Sequence, residues 1–461
     1  MMRGYLTVFL SLSLSALIGF ALLLTGNAIR NGGKVRFEYA TDIGMNSVLA
    51  EFSTALQERY DLFYIDASYL GREPAASNIE ERLDFYIRRN LNSGLEKKTW
   101  INVELEKVMI PEVAVASDGQ GRSMKYQAVK YIQDSGIERE EADIFSYLWN
   151  VRSLDGRDAL EDWSALQEQI AGIELPWILN EKGELVEVPL GNPADHIYGM
   201  SGSDILYLLH LDMDGIGVGR IRKSDYISER KLKNLKNSCE KEGNDKLFLT
   251  YLFEKMGNYR KVREDSVLLF QMEYIACGEA SDYENLKAVT DRLMKWRFAV
   301  NAARILGDES MYEEASSLAM SLQAVQLKEE FHKPVTLSIL YACAYLESLS
   351  EVQALLNGGR VPLKKDDFYT GIDQVISGEF ISDMAEDGGL DYEQYLACMI
   401  MLLSEEERNM RSMDIMEMDI RMLTGNPCFC MDFCVEKYCA QIEAKGIMGD
   451  QYSLTRTYGY Y

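Results

Sequence analysis

Four cysteines crowd into twelve residues near the C-terminal end, as Cys428-Phe429-Cys430-x3-Cys434-x4-Cys439, and they are half of the eight in the chain. Thiols at that density could hold a soft metal ion or close as a compact pair of disulfides. The spacing departs from the paired C-x2-4-C knuckles of familiar zinc modules. On a helix, Cys430 and Cys434 would share a face and would not bridge unless the backbone left helical geometry. The alternative reading makes all four small hydrophobes lining a core. Cys239, Cys277, Cys343 and Cys398 stand alone in apolar contexts and read as core.

The other reactive types are sparse. His196, His210 and His332 form no H-E-x-x-H and no pair at ligand spacing. His196 follows Asp195 in Asn192-Pro193-Ala194-Asp195-His196, where an acid could orient an imidazole for proton transfer, although a turn histidine beside an aspartate is commonplace. Gly215-Ile216-Gly217-Val218-Gly219 has the look of a phosphate loop. Arg220, however, stands where the dinucleotide pattern wants glycine, and the Lys-Ser/Thr of a P-loop is missing. Gly199-Met200-Ser201-Gly202 brings its second glycine one place too early for a nucleophile elbow. With 73 Asp and Glu, some carboxylates meet by chance, so an acid dyad shows itself only as a pocket holding two close acids with split pKa values. Glu273 and Arg297 sit in strongly apolar helical stretches and could form a buried structural ion pair. Tyrosine (27) and methionine (22) are abundant, as packing residues are. No catalytic or cofactor residue is assigned, and Cys428, Cys430, Cys434 and Cys439 remain as metal candidates.

The element that places everything else is the first. Tyr5–Thr25 runs twenty-one residues without a charge, between Arg3 and Arg30. As a helix it spans roughly 31 Å, the thickness of a bilayer's hydrocarbon core. A helix satisfies its own backbone there, as no other isolated segment can. Residues 1–4 therefore read as a short basic leader and 5–29 as a transmembrane helix. Its lipid anchor is Tyr5, Phe9, Leu10, Leu12, Leu17, Ile18, Phe20, Leu22, Leu23 and Leu24. Ser11, Ser13, Ser15, Ala16 and Gly19 are small enough to admit a second helix. A cleaved secretory signal is the alternative, since Gly26-Asn27-Ala28 loosely resembles a cleavage site, but the apolar run exceeds the roughly 7–15 residues of a signal core. Val335–Leu346 and Tyr395–Leu403 are too short to cross and read as core helices, so the topology is single-pass. The net charge is −25. Arg3 and Arg30 are the only charges in residues 1–30, so the rest carries −27. That body repels nucleic acid and anionic lipid. Counted literally, Arg30, Lys34 and Arg36 against Arg3 and the amino terminus place it inside the cell.

Past the membrane, Phe37, Ala40, Gly44, Val48, Phe52, Ala55 and Tyr60 recur at helical steps, so the entrance reads as one long rod, half in lipid and half packed on a soluble domain, with Gly32-Gly33 the one place for a kink. Leu62–Asp66 reads as a strand. Ser77-x-x-Glu80 is a capping box for a helix with Ile79, Leu83, Tyr86, Ile87 and Leu91 on one face. Ile101, Val103 and Leu105 alternate as a strand into Val108–Val115, before a turn at Asp118–Gly121. Helices are expected at Lys125–Gln133, Arg139–Asn150 and Asp158–Ala171. Residues 172–262 are irregular and include the charged stretch Lys223–Lys246. Residues 263–423 are mainly helical, broken at Leu355–Leu363 and resuming at Asp391–Leu403 and Glu405–Leu423. Tyr438–Ile447 and Tyr452–Tyr461 read as a terminal hairpin about Gly449-Asp450. The fold class is α+β: a transmembrane helix runs into a long amphipathic helix, packed on a mostly antiparallel sheet, with a large helical middle. Residues 30–461 form this body, with no firm internal boundary.

Short segments spread along the chain carry a resemblance. They are Arg3-Gly4-Tyr5-Leu6-Thr7-Val8-Phe9-Leu10-Ser11-Leu12, Ala28-Ile29-Arg30, Val48–Phe52, Glu58–Leu62, Asn192–Asp195 and Glu273–Gly278. Asn285-Leu286, Arg297-x3-Asn301, Leu355–Leu363, Tyr392-x2-Tyr395-Leu396 and Arg411-x-Met413-Asp414 continue it. Together they resemble an uncharacterised family of membrane-anchored proteins, a domain of unknown function from tight-adherence (Tad, type IV-related) pilus gene clusters of Gram-positive bacteria. The resemblance implies a pilin-like start. Gly4 would precede a prepilin-peptidase cut, while Phe9 stands where pilins usually carry glutamate, which leaves an uncut, N-in anchor as the alternative. It also implies an extracytoplasmic body, against the charge count. The expected function is that of a non-enzymatic accessory or minor pilin-like component. Its partners would be the lipid bilayer and other pilus or envelope proteins met through the N-terminal helix, with no nucleic acid and no cofactor. Its rivals are an envelope hydrolase using carboxylates and a solitary receptor-like binding module.

Overall fold

Uncharged residues followed by a 3.6-residue stripe make one uninterrupted helix, Met2–Leu49, 48 residues long. At the helical rise it measures about 72 Å. The computed structural model describes residues 2–92, 101–211, 216–217, 219–232, 242–364, 368–381 and 388–460. Cys239, Gly215 and much of the charged stretch Lys223–Lys246 lie outside them. The long rod forms as expected, and no break falls at Gly32-Gly33. A Cβ on Gly32 would meet Ile101 Cγ2 at 2.9 Å, and one on Gly33 would meet Tyr452 Oη at 2.9 Å, so these glycines let neighbouring strands approach the helix. That contact offsets the roughly 1 kcal/mol a mid-helix glycine costs. The stripe itself ends sooner than expected. After Leu49 the chain turns, Ser53 caps a separate short helix, Thr54–Tyr60, and Asp61 closes it in a left-handed conformation at φ 53°.

The chain divides into two compact units, interleaved in sequence: Met1–Tyr131 with Ser224–Gly243 and Met413–Tyr461, and Ile132–Lys223 with Asn244–Ser412. The first is built on a four-stranded antiparallel sheet. Its central strand, Cys434–Gly446, pairs with Val103–Val115, with Gln451–Gly459 and with Ile65–Asp66. The register places Val108 opposite Ile442 and Tyr438 opposite Tyr458. The strand expected over Leu62–Asp66 shrinks to Ile65–Asp66. The terminal hairpin forms where alternation placed it, with Gly449 at φ 84° in its turn. Helix Ala76–Asn92 buries Ile79, Leu83, Ile87 and Leu91, one residue per turn, at about 2 kcal/mol each. Ser77 lies inside this helix, not at its N-cap. Phe37, Val48, Leu83, Ile87, Val103, Leu105, Tyr438 and Ile442 share one core, so both helices cover the sheet. Gly119, Gln120 and Gly121, all at positive φ, make the turn expected after Val115.

The second unit is helical. Asp282–Ile305 is N-capped by Ser281, and His332–Leu356 is buried along nearly its whole length. Asp391 and Gln394 form a capping box on Tyr392–Leu402. The break after Leu356 is real, with Gly358 at φ 94° and Val361 bridging to Leu390. The single helix expected over Arg139–Asn150 is instead a 3-10 turn, Glu140–Ser146, followed by Leu148–Asp155. Asp158 caps Ala159–Ala171 and Trp163 is fully buried, stacked against Tyr341. A separate hairpin pairs Trp177–Leu179 with Leu185–Glu187.

Candidate functional surface: the N-terminal helix

The first half of helix Met2–Leu49 is exposed at its large apolar residues. All ten anchor residues are exposed, from Ile18 at 52% to Tyr5 at 78%. Among the described residues this is one helix long and apolar enough to cross a membrane. Two of its hydroxyls are satisfied locally: Ser11 Oγ donates to Val8 O at 2.9 Å, and Thr25 Oγ1 to Ala21 O at 2.8 Å. Hydroxyls bonded back to the preceding turn carry little penalty in lipid. Gly19 and Gly26 have open space where a side chain would be.

The second half is clamped. Four tyrosines of the terminal hairpin and the strand end beside it donate to the helix along its length. Tyr452 Oη reaches Arg30 O at 3.0 Å, Tyr458 Oη reaches Asp42 Oδ1 at 3.1 Å, Tyr438 Oη reaches Met45 O at 2.9 Å, and Tyr460 Oη bonds Leu49 O. The last of these satisfies a helix-end carbonyl that has no partner within its own helix. Arg30 pairs with Asp450 at 3.0 Å, and Arg36 donates to Leu91 O. On the side away from the sheet, Val35, Tyr39 and Ile43 are 48%, 67% and 49% exposed. They stand at i, i+4 and i+8, one apolar face of the same helix.

The residues picked for chemistry do not assemble as expected. Met431–Phe433 is a 3-10 turn leading into strand Cys434–Gly446, so Cys430 and Cys434 share no helical face. Cys434 and Cys439 lie five strand positions apart, about 17 Å. Cys428 Sγ donates to Gly71 O at 3.8 Å, and Cys430 accepts from Arg421 at 3.7 Å. All four are free thiols; Cys430 and Cys434 both lie near Glu417 and Asp432, while the strand carries Cys439 away from them. Cys430 alone joins a group of metal-ligating type, with buried Glu417 and Asp432, ligand atoms within 4.8 Å of one another. A cation already sits there: Arg230 grips Glu417 at 2.5 and 2.6 Å and Asp432 at 2.6 Å. The set fits a guanidinium, not a metal ion.

Arg297 does not pair with Glu273. It makes a two-pronged bond to Glu351, 2.7 and 2.9 Å, with Asn301 donating to the same carboxylate at 2.7 Å. Glu273 instead accepts from Tyr392 Oη at 2.7 Å and from Tyr259 N at 2.8 Å. Asp195 accepts from Asn192 at 2.9 Å, and His196 lies against Gly378. Gly217 and Gly219 back onto Leu269 and Val267, so their missing side chains serve packing. Two features went unread. One is the run of buried acids on helix Glu405–Thr424, where Asp414 holds Ser228 N at 2.9 Å and Asp419 holds Tyr60 Oη at 2.6 Å. The methionine-rich stretch around them, Met410 to Met422, was the available sign of a buried helix. The other is the contact between Glu141 and Glu393. Burial lifts the Glu393 carboxyl, while Arg139 and that shared bond outweigh burial and lower Glu141.

Acids with split ionisation also line a cavity of about 280 Å³ in the first unit. Burial raises Asp66, which Ser68 and Asn426 hold by hydrogen bonds. Glu51, despite some burial, is lowered by Arg82 and Tyr86. Tyr69 and Leu70 line the same cavity in left-handed conformations, φ 41° and 61°.

A family model described as a family of unknown function (DUF5702) matches residues 183–446. No curated protein and no solved structure matches the chain.

Proposed function

The chain belongs to this family of unknown function, DUF5702, and we propose that it is a single-pass membrane protein acting by contact, an accessory or minor pilin-like component of a Tad-type pilus apparatus with its acidic body outside the cell. One observation carries the reading: a single helix is bare and apolar over one half and clamped to an antiparallel sheet over the other. No linker separates the two halves, so a partner that binds the helix within the membrane sets the position of the sheet unit outside. The exposed face of Val35, Tyr39 and Ile43 extends the helix's apolar surface beyond the bilayer. It is a surface for another helix of the same apparatus. The −27 charge keeps the body off anionic headgroups.

Protease added to intact, wall-stripped cells should digest the body, and a cysteine replacing Tyr39 should cross-link to a pilus or platform protein. A protected body, a body released freely on lysis, or a cysteine that cross-links to nothing would each end this account. Amino-terminal sequencing of the mature chain decides between a cut after Gly4 and an uncut anchor.

The cavity holding Glu51 and Asp66 favours a second reading, an envelope hydrolase, because split acids are what carboxylate chemistry uses. Both carboxylates, however, are already engaged by Arg82, Tyr86, Ser68 and Asn426. Glycan turnover abolished by Glu51→Gln or Asp66→Asn would establish that reading in place of the first.

A further inference from the structure

We propose that the second unit binds a phosphate-bearing organic anion in the groove between helices Leu148–Asp155 and Asp282–Ile305. The cavity there measures about 410 Å³, within the ~300–1,000 Å³ typical of small-molecule sites. Arg157, Arg304 and Lys364 line it, and none of its ten lining residues is acidic. That is a reversal of sign in a chain of net charge −25.

Among the described residues, the neighbouring acids are committed elsewhere. Asp155 accepts from Arg292 and Trp296, both at 2.9 Å. Asp158 caps its helix and pairs with Lys295 at 3.1 Å. Asp308 takes Arg304 at 3.3 Å, and that guanidinium also lies over the Phe368 ring. The side chains of Arg157 and Lys364 have no partner among the described residues. Two cations without a partner among the described residues, beside the already paired Arg304, exceed what a single carboxylate neutralises. They suit a phosphate monoester, which carries about −1.5 to −2 and three acceptor oxygens. Asn150 adds an amide donor at the rim.

The apolar share of the wall decides between a free ion and an organic ligand. Leu154, Val300 and Leu363 present carbon to the same space. An inorganic ion would leave most of the volume to water against these residues, whereas a ligand with an apolar flank buries them.

The test is calorimetric titration of the full chain in non-ionic detergent with phenyl phosphate, inorganic phosphate and benzoate. Phenyl phosphate should bind most tightly of the three and more weakly as salt rises. Arg157→Gln/Lys364→Gln should weaken it about tenfold or more. Ala303→Trp, which fills the groove without changing its charge, should also weaken it. All three positions are exposed, and unchanged melting temperatures will confirm that the variants are folded. The proposal is overturned if phenyl phosphate gives no heat, if inorganic phosphate or benzoate binds equally well, or if both variants bind like the native protein.

Discussion

Replacing Glu273 by glutamine should remove a pH dependence of stability and make the protein sturdier at alkaline pH. Glu273 is completely buried on helix Gln271–Cys277. One of its oxygens accepts from Tyr259 N and Tyr392 Oη, and the other has no partner. Burial, aided by the charge of Asp282 and opposed by those two hydrogen bonds, pushes its carboxyl up to about 7 from an ordinary 4.5. Between those values the folded chain holds a proton that the unfolded chain has lost, so unfolding free energy falls as pH rises. The contribution is whole below pH 4.5, declines through 7, and is flat beyond. At about 1.4 kcal/mol per pH unit over about 2.5 units, it amounts to about 3 kcal/mol. Glutamine offers the same carbonyl to both donors and cannot ionise. Its amide introduces a fixed offset of about 1–3 kcal/mol if unpaired, which cancels when one pH is compared with another. Thermal unfolding of the full chain in detergent micelles is the assay. Between pH 4.5 and pH 8 the variant's melting temperature should gain about 6–12 °C relative to native, at roughly 2–4 °C per kcal/mol for a unit of this size. Parallel melting curves across that range would refute the assignment of a neutral, buried carboxyl.

Three further outcomes follow from named contacts. Glu351→Gln leaves Arg297 buried without its counter-charge and should cost about 3–5 kcal/mol, while Arg297→Met/Glu351→Leu should recover most of it; denaturant midpoints measure both. Gly44→Leu would drive a Cβ to 2.8 Å from Ile87 Cγ1 and 3.4 Å from Leu83 Cδ1. The overpacking cost of about 1–3 kcal/mol should exceed the ~1 kcal/mol gained by removing a helix glycine, seen as faster hydrogen exchange in residues 30–49. Burial pushes the thiols of Cys277, Cys343 and Cys398 up to about 12. At pH 8 a thiol reagent should therefore leave all three unmodified until the chain unfolds, as mass spectrometry of the labelled protein will report.

What could be read from the sequence was whatever a local period writes. The apolar run to Thr25, the Ile79–Leu83–Ile87–Leu91 stripe and the alternation of the terminal hairpin each announce an element within a dozen residues, and each is present. Where tertiary contact uses a residue, the local sign is ambiguous: Gly32-Gly33, the one place for a kink in the long rod, is a contact point for Ile101 and Tyr452. The buried pairs were out of reach for a different reason. Arg297 and Glu351 are 54 residues apart, and Arg230 and Asp432 are 202 apart, so no local pattern links them. Tyr460 and Leu49, 411 residues apart, meet only because the last strands return to the first helix. The division into units was hidden likewise, since the chain enters the first unit three times and leaves no single boundary to find.

The clamp on the N-terminal helix has a consequence for synthesis. Strand Val103–Val115 leaves the ribosome some 320 residues before Cys434–Gly446, the strand it pairs with. At roughly 5–20 residues per second the wait is some tens of seconds. In that interval the second unit, whose sequence is by then almost fully translated, can collapse on its own. The first has a helix but no central strand, and the unpaired edge of Val103–Val115 is open to wrong partners. The N-terminal helix, made long before its clamp, is thus among the last elements to be secured, when the hairpin tyrosines arrive to lock it.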